Sequence, residues 1–386
     1  MEPQTYKDDY VPMLDGLRGL MALWVFFGHV ELWCIGKLAP WGSPAIAVDI
    51  FMLLSGFLMA FHWEIRKKRF ATVREQSIDF YIRRFFRIAP LYYVLLILAY
   101  VGQSHYMQIE EYLKSIAPPP WADSTMTKTA SYAIDLPNVL SHVTFLFGLI
   151  PKFASNTILP DWSIGLEMQF YMLFPLLILA LARFGAFSVS AISLVAVIVT
   201  SNLIGLYLHP GILGNFPQPS MILFKLNIFA AGMCLALFYL NRGTKECIYY
   251  LIPAAVSLIL SAPQVQASAM FMAFMLYFNS QRSETLYAII SGRVARFLGD
   301  TSYSVYLLHK LIMLPGLYVL FHWQWFMARG ASVRVVIAFC LLAIPIYSCA
   351  YMLFRLVELP GIQLARTILR RRRVPQPKPA AVAAAS

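Results

Sequence analysis

Repeated apolar segments of about 20 residues constrain this chain more than any other feature, because a helix of that length crosses the hydrocarbon core of a bilayer. Only 13% of the 386 residues are charged, whereas soluble domains carry about 25%. The sequence therefore predicts an all-α, polytopic membrane protein. Ten segments are long and apolar enough to be transmembrane helices: 14–35, 44–63, 88–103, 162–182, 186–208, 221–240, 247–262, 265–280, 297–321 and 333–357.

Positive charge orients these helices. With a cytoplasmic N-terminus, most Lys and Arg residues fall in cytoplasmic segments, as the positive-inside rule requires. The net charge of +12 is therefore interpreted as membrane topology, and no nucleic-acid partner is predicted. The apolar piece 138–151 is expected to lie at the interface, because an eleventh crossing would invert the loops on one side of it. The sequence thus predicts a multi-pass protein of the bacterial inner membrane with both termini in the cytoplasm.

The predicted domain plan has three parts. A cytoplasmic N-terminus covers residues 1–13, and a transmembrane domain covers 14–360 with a large outer loop at about 104–161. A basic, low-complexity cytoplasmic tail covers 361–386. The five cysteines occur singly, without CxxC or CxxH spacing. This spacing indicates neither a metal site nor a disulfide framework.

Arg18 and His29 are the most informative pair, because charged and titratable groups are costly inside a bilayer. They are eleven residues apart in the first predicted span. At 3.6 residues per turn both side chains leave the same helix face, about 16 Å apart along the axis. One helix face would then present a cation near the cytoplasm and a proton acceptor nearer the outside.

A second basic group lies where the third predicted span enters the membrane. Arg84 and Arg87 are three residues apart and share a helix face. Two guanidinium groups at a cytoplasmic helix end favour a clamp for a ligand that carries phosphate.

Other polar residues in the spans admit two interpretations each. Asp49 could orient His29 or be a wetted boundary carboxylate. Glu167 could be functional, or it could hold helices together by a hydrogen bond, since a buried carboxylate needs a partner. Ser55, followed by a glycine, is more typical of close helix packing than of a nucleophile.

His309 and Tyr306 lie on one face of the ninth predicted span. A core histidine and a second functional imidazole are both compatible with this position. The whole pattern fits a protein that binds a polyanion inside and acts on something outside. These residues alone do not separate a group-transferring enzyme from a transporter or flippase of an anionic glycolipid.

Five motifs occur in a fixed order: LDGLRGLMALWVFFGHV with Arg-x10-His spacing, DIFMLLSGF at 49–57, RRFFRIAPLYY at 83–93, DWSIGLEMQFY at 161–171 and YSVYLLH at 303–309. Met52 and Ile164 depart from the usual Phe and Leu. This set resembles the membrane-bound acyltransferase 3 family, bacterial O-acyltransferases that modify surface and secreted glycans. No segment after the spans resembles the SGNH domain of some members, so a single-domain member is expected.

The resemblance implies transfer of an acyl group, most simply acetyl, from cytoplasmic acetyl-CoA to a hydroxyl outside the membrane. Arg18, Arg84 and Arg87 would bind the CoA phosphates or position the thioester, and His29 would be the catalytic base. Glu167 or Asp49 would orient His29 or the acceptor. The acyl donor is a substrate, and no permanently bound cofactor is implied. The acceptor is a glycan, glycolipid or lipo-oligosaccharide; lipopolysaccharide, exopolysaccharide, peptidoglycan and secondary metabolites stay open, as do succinyl transfer and the oligomeric state.

Overall fold

The apolar segments of the sequence fold into a bundle of helices. The computed structural model describes residues 11–36, 43–116, 132, 134–206, 209–242, 244–278 and 292–372. The α-helices are α1 (Pro12–Ile35), α2 (Pro44–Arg66), α3 (Val73–Ile116), α4 (Leu136–Val143), α5 (Trp162–Phe184), α6 (Ala186–Leu203), α7 (Leu226–Leu240), α8 (Leu251–Leu258), α9 (Pro263–Phe278), α10 (Arg293–His322), α11 (Gln324–Met327), α12 (Ala331–Leu353) and α13 (Leu359–Arg372).

Short elements complete the architecture. A π-helical segment, Phe354–Glu358, joins α12 to α13 without a break. The 3₁₀ helices are Lys67–Arg69, Phe147–Leu149, Ile222–Phe224 and Lys245–Tyr250. The only sheet in the described chain is an antiparallel pair, β1 (Gly205–Leu206) with β2 (His209–Pro210).

Seven helices of the described chain are long and apolar enough to cross a membrane, which confirms a polytopic, all-α membrane protein. The predicted spans 221–240, 247–262 and 265–280 correspond to shorter helices, so the number of ten crossings stays a prediction. Helix α7 belongs to the core, since it buries all but two of its 15 residues. A helix that is apolar on every side is expected in such a place.

Two helices extend beyond the predicted spans. The predicted span 88–103 lies within the 44 residues of α3. At the other end of the chain, α13 continues to Arg372, so the first part of the predicted tail is helical. Residues 1–10, the proline run of the outer loop and the chain after Arg372 lie outside the described residues.

Helices α1 and α10 pack closely and run in the same direction. A Cβ on Gly19 would lie 2.7 Å from the Gly299 nitrogen, and one on Gly299 would lie 2.4 Å from the Asp15 carbonyl oxygen. Ten residues further along each helix, the rings of His29 and His309 are 5.0 Å apart. Two glycines therefore set the close approach that brings these histidines together.

Helices α3 and α5 run in opposite directions. Arg84 lies 5.8 Å from the centre of the Tyr171 ring, and further along α3 the Tyr92 hydroxyl donates to Asp161 at 3.2 Å. Between these helices, the described residues hold only α4, a 3₁₀ helix and turns. Both helices therefore meet segment 138–151 at the same end of the bundle, which agrees with its interpretation as non-spanning.

Helices α2, α5 and α7 run together, opposite to α3. Ser55 contacts Glu167 near the middle of α2, and the rings of Trp63 and Phe174 meet near its end. The end of the bundle that holds Arg66 and Arg84 is called the basic end below. Helices α2, α5 and α7 finish at this end, whereas α1 and α3 begin there.

Candidate active site

The centre of the candidate site is a pair of imidazoles. Nδ1 of His29 donates to the Val25 carbonyl at 2.8 Å, and Nδ1 of His309 donates to the Tyr306 carbonyl at 2.7 Å. A neutral imidazole with a protonated Nδ1 has Nε2 as its acceptor. Nε2 of His309 is buried and has no hydrogen-bond partner in the described chain. Both rings therefore present a basic nitrogen rather than an N–H group.

Tyr306 connects this pair to α5. Its hydroxyl lies 2.6 Å from Oγ of Ser163, and its ring centre is 6.2 Å from that of His309. Phe51 of α2 packs edge-on against the Tyr306 ring, with 6.0 Å between the ring centres. The contacts with α2 and α5 hold Tyr306 between the imidazoles and the interior cavity.

The interior cavity lies between α1, α2, α5, α7 and α10. It contains about 510 Å³ of empty space, part of it open to solvent. The polar groups on its wall are Arg18, Ser55, Ser163, Glu167, Ser302, Tyr303 and Tyr306. The cavity therefore extends from Arg18, on the predicted donor side, to Tyr306, whose ring lies beside His309.

Glu167 is hydrogen-bonded within the bundle and also lines the cavity. Oε1 accepts from Oγ of Ser55 at 3.0 Å and from the Tyr171 hydroxyl at 2.5 Å. The ring of Tyr171 contacts Arg84. Glu167 is therefore linked to the arginines of the basic end. It makes the hydrogen bond between helices that one interpretation expected, and its functional role stays a prediction.

The three arginines singled out by sequence come together at the basic end. Arg84 is close enough to Arg18 and Arg87 for both neighbouring charges to repel its own. The side chain of Arg18 lies 3.9 Å from Asp15, one turn earlier on α1. An anionic ligand would relieve this repulsion, so the cluster suits a phosphate group.

Arg87 differs from the other two because its ion-pair partner is a fully buried carboxylate. It forms an ion pair with the buried Glu358 of the π-helical segment, whose second oxygen accepts from Oγ of Ser304 at 2.9 Å. This partner was missed in the sequence. The signal was an acidic residue just beyond the last apolar segment, because a buried carboxylate requires a counter-charge.

Asp49 also has a partner that the sequence did not indicate. Nζ of Lys225 lies 2.9 Å from Oδ2 and 2.8 Å from Oδ1 of this buried carboxylate. The structure thus gives Asp49 a counter-ion on α7 rather than a contact with His29. A lysine at the start of an apolar helix was the available signal.

A second polar network lies around Asp161, the residue before α5. Asp161, almost fully buried, accepts from Tyr92 at 3.2 Å and from Oγ1 of Thr157 at 2.8 Å. Nε2 of His142 lies 3.6 Å away, with its ring stacked flat on Phe147. Burial raises the pKa of the Asp161 carboxyl, and the nearby His142 opposes that shift. Sequence reasoning found no signal at His142.

Comparison with known proteins matches residues 11–354 to a family described as an acyltransferase domain. The chain belongs to the acyltransferase 3 family. The matched range begins just before α1 and ends at the start of the π-helical segment. It therefore includes Arg18, His29, Arg84, Glu167 and His309, and it confirms the resemblance seen in the motifs.

Curated relatives in this family include peptidoglycan O-acetyltransferase OatA of Listeria monocytogenes, 29% identical over 188 residues, with 46% of this chain and 26% of the relative covered. O-acetyltransferase OatA of Staphylococcus aureus is 25% identical over 178 residues, covering 45% and 26%. Acyltransferase MdmB of Streptomyces mycarofaciens is 29% identical over 184 residues, covering 46% and 40%. The chain thus spans about a quarter of the length of each OatA protein. No solved structure matches it significantly.

Proposed function

We propose that this protein transfers an acyl group, most simply acetyl, from acyl-CoA to a hydroxyl of a glycan, glycolipid or lipo-oligosaccharide outside the cytoplasm. One observation carries the proposal: a single cavity connects Arg18 and Glu167 with Tyr306, which adjoins the His29–His309 pair. Family membership supports group transfer over transport. The proposed setting is the inner membrane, with the basic end in the cytoplasm because positive charge favours that side.

His29 is the proposed general base. It is half-buried, whereas His309 is fully buried, so His29 is the more accessible of the two imidazoles. Its Nε2 would take the acceptor's hydroxyl proton while that oxygen attacks the thioester carbonyl. The new C–O bond forms as the C–S bond breaks, and the imidazolium returns the proton to the departing CoA sulfur. No proton or electron is left over.

The arginines of the basic end are the proposed donor site. Phosphates of acyl-CoA would lie against Arg18 and Arg84, since Glu358 forms its ion pair with Arg87 rather than with either of them. The thioester would then extend into the cavity past Glu167. In this arrangement Glu167 positions Ser55 and Tyr171 rather than His29.

The acceptor is proposed only by class. The name of the Listeria relative makes peptidoglycan one candidate, and the lipopolysaccharide, exopolysaccharide and lipo-oligosaccharide classes fit the same chemistry. Each offers a hydroxyl that can reach an outward-facing imidazole.

The proposal is tested by placing the purified protein in nanodiscs with labelled acetyl-CoA and adding each glycan in turn. Release of CoA together with label on the glycan is expected for the true acceptor class. The matched control is the same glycan with its hydroxyls methylated, which should give no release. If no acceptor causes CoA release while an anionic glycolipid is moved across the bilayer, the protein is a flippase and the proposal is wrong.

A further inference from the structure

A groove separate from the interior cavity lies at the ends of α7, α8 and α9 and along the 3₁₀ helix Lys245–Tyr250. It contains about 1020 Å³ of empty space, part of it open to the surroundings. Its wall includes Phe238, Arg242, Lys245, Leu251, Phe274 and Tyr277. None of these residues takes part in the proposed acyl transfer.

The groove opens at the basic end. Helix α7 runs parallel to α2, since Lys225 pairs with Asp49 near the start of both helices and Tyr239 packs on Phe61 near the end of both. Arg242 follows the last turn of α7 and therefore lies on the same side of the bundle as the arginine cluster. This is the side on which anionic headgroups attract Lys and Arg.

Arg242 is held in a fixed position. Its guanidinium lies 4.1 Å from the centre of the Tyr239 ring, and Nη1 donates to the Tyr239 carbonyl at 3.3 Å. Tyr239 is itself anchored by Phe57 and Phe61. A guanidinium has five N–H donors in a planar fork, so one fixed bond leaves donors for a ligand. Binding of a ligand therefore does not have to order the long Arg242 side chain, which would cost conformational entropy.

Lys245 provides the second cation, on the other side of the turn after α7. Both side chains are exposed. Among the described residues, neither Arg242 nor Lys245 forms an ion pair with a carboxylate. Two cations on the wall of one groove, neither paired with a carboxylate in the described chain, favour an anion between them.

The rest of the groove is apolar and exposed. Phe274 is 56% exposed, Tyr277 48% and Ile248 59%. In a membrane-spanning bundle such surfaces contact acyl chains rather than water. The groove therefore places an anion site directly above a surface suited to hydrocarbon.

We propose that this groove binds one anionic phospholipid. Its phosphate lies between Arg242 and Lys245, and one acyl chain runs along Phe274 and Tyr277. An anionic lipid fits better than a zwitterionic one, because the ammonium of a zwitterion already neutralises its phosphate. This proposal is independent of the acyl-transfer reaction.

The test uses the full chain in nanodiscs of equal phosphatidylglycerol and phosphatidylcholine, followed by release into detergent. Mass spectrometry of the intact protein then counts the lipids that stay bound. We expect phosphatidylglycerol to be retained over phosphatidylcholine by about tenfold, because each cation near an anionic headgroup adds to binding. In the double variant Arg242→Gln, Lys245→Gln the ratio should fall to about one.

Arg183→Gln is the matched control. It removes an exposed cation at the basic end that lies against a neighbouring aromatic ring, that of Phe184, but does not line the groove. Its lipid ratio should equal that of the unaltered protein. An unchanged ratio in the double variant, or an equal loss in Arg183→Gln, would overturn the proposal.

Two further experiments ask whether the bound phosphate belongs to a lipid and where the acyl chain of that lipid lies. Inorganic phosphate should displace the lipid no better than chloride at the same ionic strength; selective displacement would mean a free-phosphate site instead. Ala273→Phe fills the groove and keeps both cations, so it should also lower phosphatidylglycerol retention. Full retention in that variant would show that the chain lies elsewhere. Unfolding temperatures without added lipid verify that each variant is folded.

Discussion

The rings of His29 and His309 lie 5.0 Å apart because Gly19 and Gly299 let α1 and α10 approach closely at one end. Each histidine follows its glycine by ten residues, so the helix register aligns both pairs. Each Nδ1 is held by a backbone carbonyl of its own helix. The geometry of the imidazole pair therefore depends on backbone contacts far from the two rings.

Substitution of the contact glycine should separate the helices. For Gly299→Val we expect the free energy of unfolding in detergent to fall by about 1–3 kcal/mol, as for overpacked cores. Acyl transfer should fall more than the folded fraction does, because the imidazole pair shifts. Gly102→Ala is the control, since a Cβ there meets no atom within 4 Å. If Gly299→Val and Gly102→Ala transfer acyl groups equally well, activity does not depend on this helix contact.

The two arginines of α3 should respond differently to substitution. Arg84→Gln should raise KM for acyl-CoA with little change in unfolding temperature, because Arg84 has no buried carboxylate partner in the described chain. Arg87→Gln should lower the free energy of unfolding by ~3–5 kcal/mol, since it leaves a buried carboxylate uncompensated. Steady-state kinetics and thermal unfolding measure both effects.

The double variant Arg87→Gln, Glu358→Gln controls this second effect. Removing both charges should restore much of the lost stability, because no buried charge is then unpaired. If Arg87→Gln instead raises KM and leaves stability unchanged, Arg87 binds the donor directly and its pairing with Glu358 is incidental.

Asp49 should be a structural residue. Asp49→Asn is expected to lower the free energy of unfolding by about 1–3 kcal/mol. This is less than for Arg87→Gln, because the charge left unpaired is that of Lys225, whose side chain is 21% exposed, whereas Arg87→Gln leaves the fully buried Glu358. The kcat of the folded fraction should stay close to that of the unaltered protein. A large loss of kcat with normal stability would instead support the role of orienting His29.

The long apolar helices and the polar side chains that converge in the candidate site were predictable from sequence, because a polar group within an apolar segment is costly and therefore conspicuous. Arg18, His29, Glu167 and His309 all stood out in this way. The grouping of Arg18 with the α3 arginines was also expected, since the sequence predicts that all three lie on the cytoplasmic side of the membrane.

Partners were not predictable, because a single sequence does not say which helices pack together. Asp49 pairs with a residue 176 positions away, and Arg87 with one 271 positions away. Each pairing forms because two helices are neighbours in the bundle. Small residues allow such helices to approach closely, as where Gly56 contacts the backbone of Phe229. The length of α7 was likewise hidden, because a buried core helix and a short span have the same apolar composition.

The most direct test of the central claim is acyl transfer by His29→Ala, measured as CoA release in the presence of the acceptor. We expect loss by about 10²–10⁴-fold, the usual contribution of a general base, with the folded protein still present in the membrane. His322→Ala is the control: its Nδ1 makes the same type of bond, to the Tyr318 carbonyl at 2.7 Å, at an exposed position, and it should transfer normally. Normal transfer by His29→Ala would contradict the account.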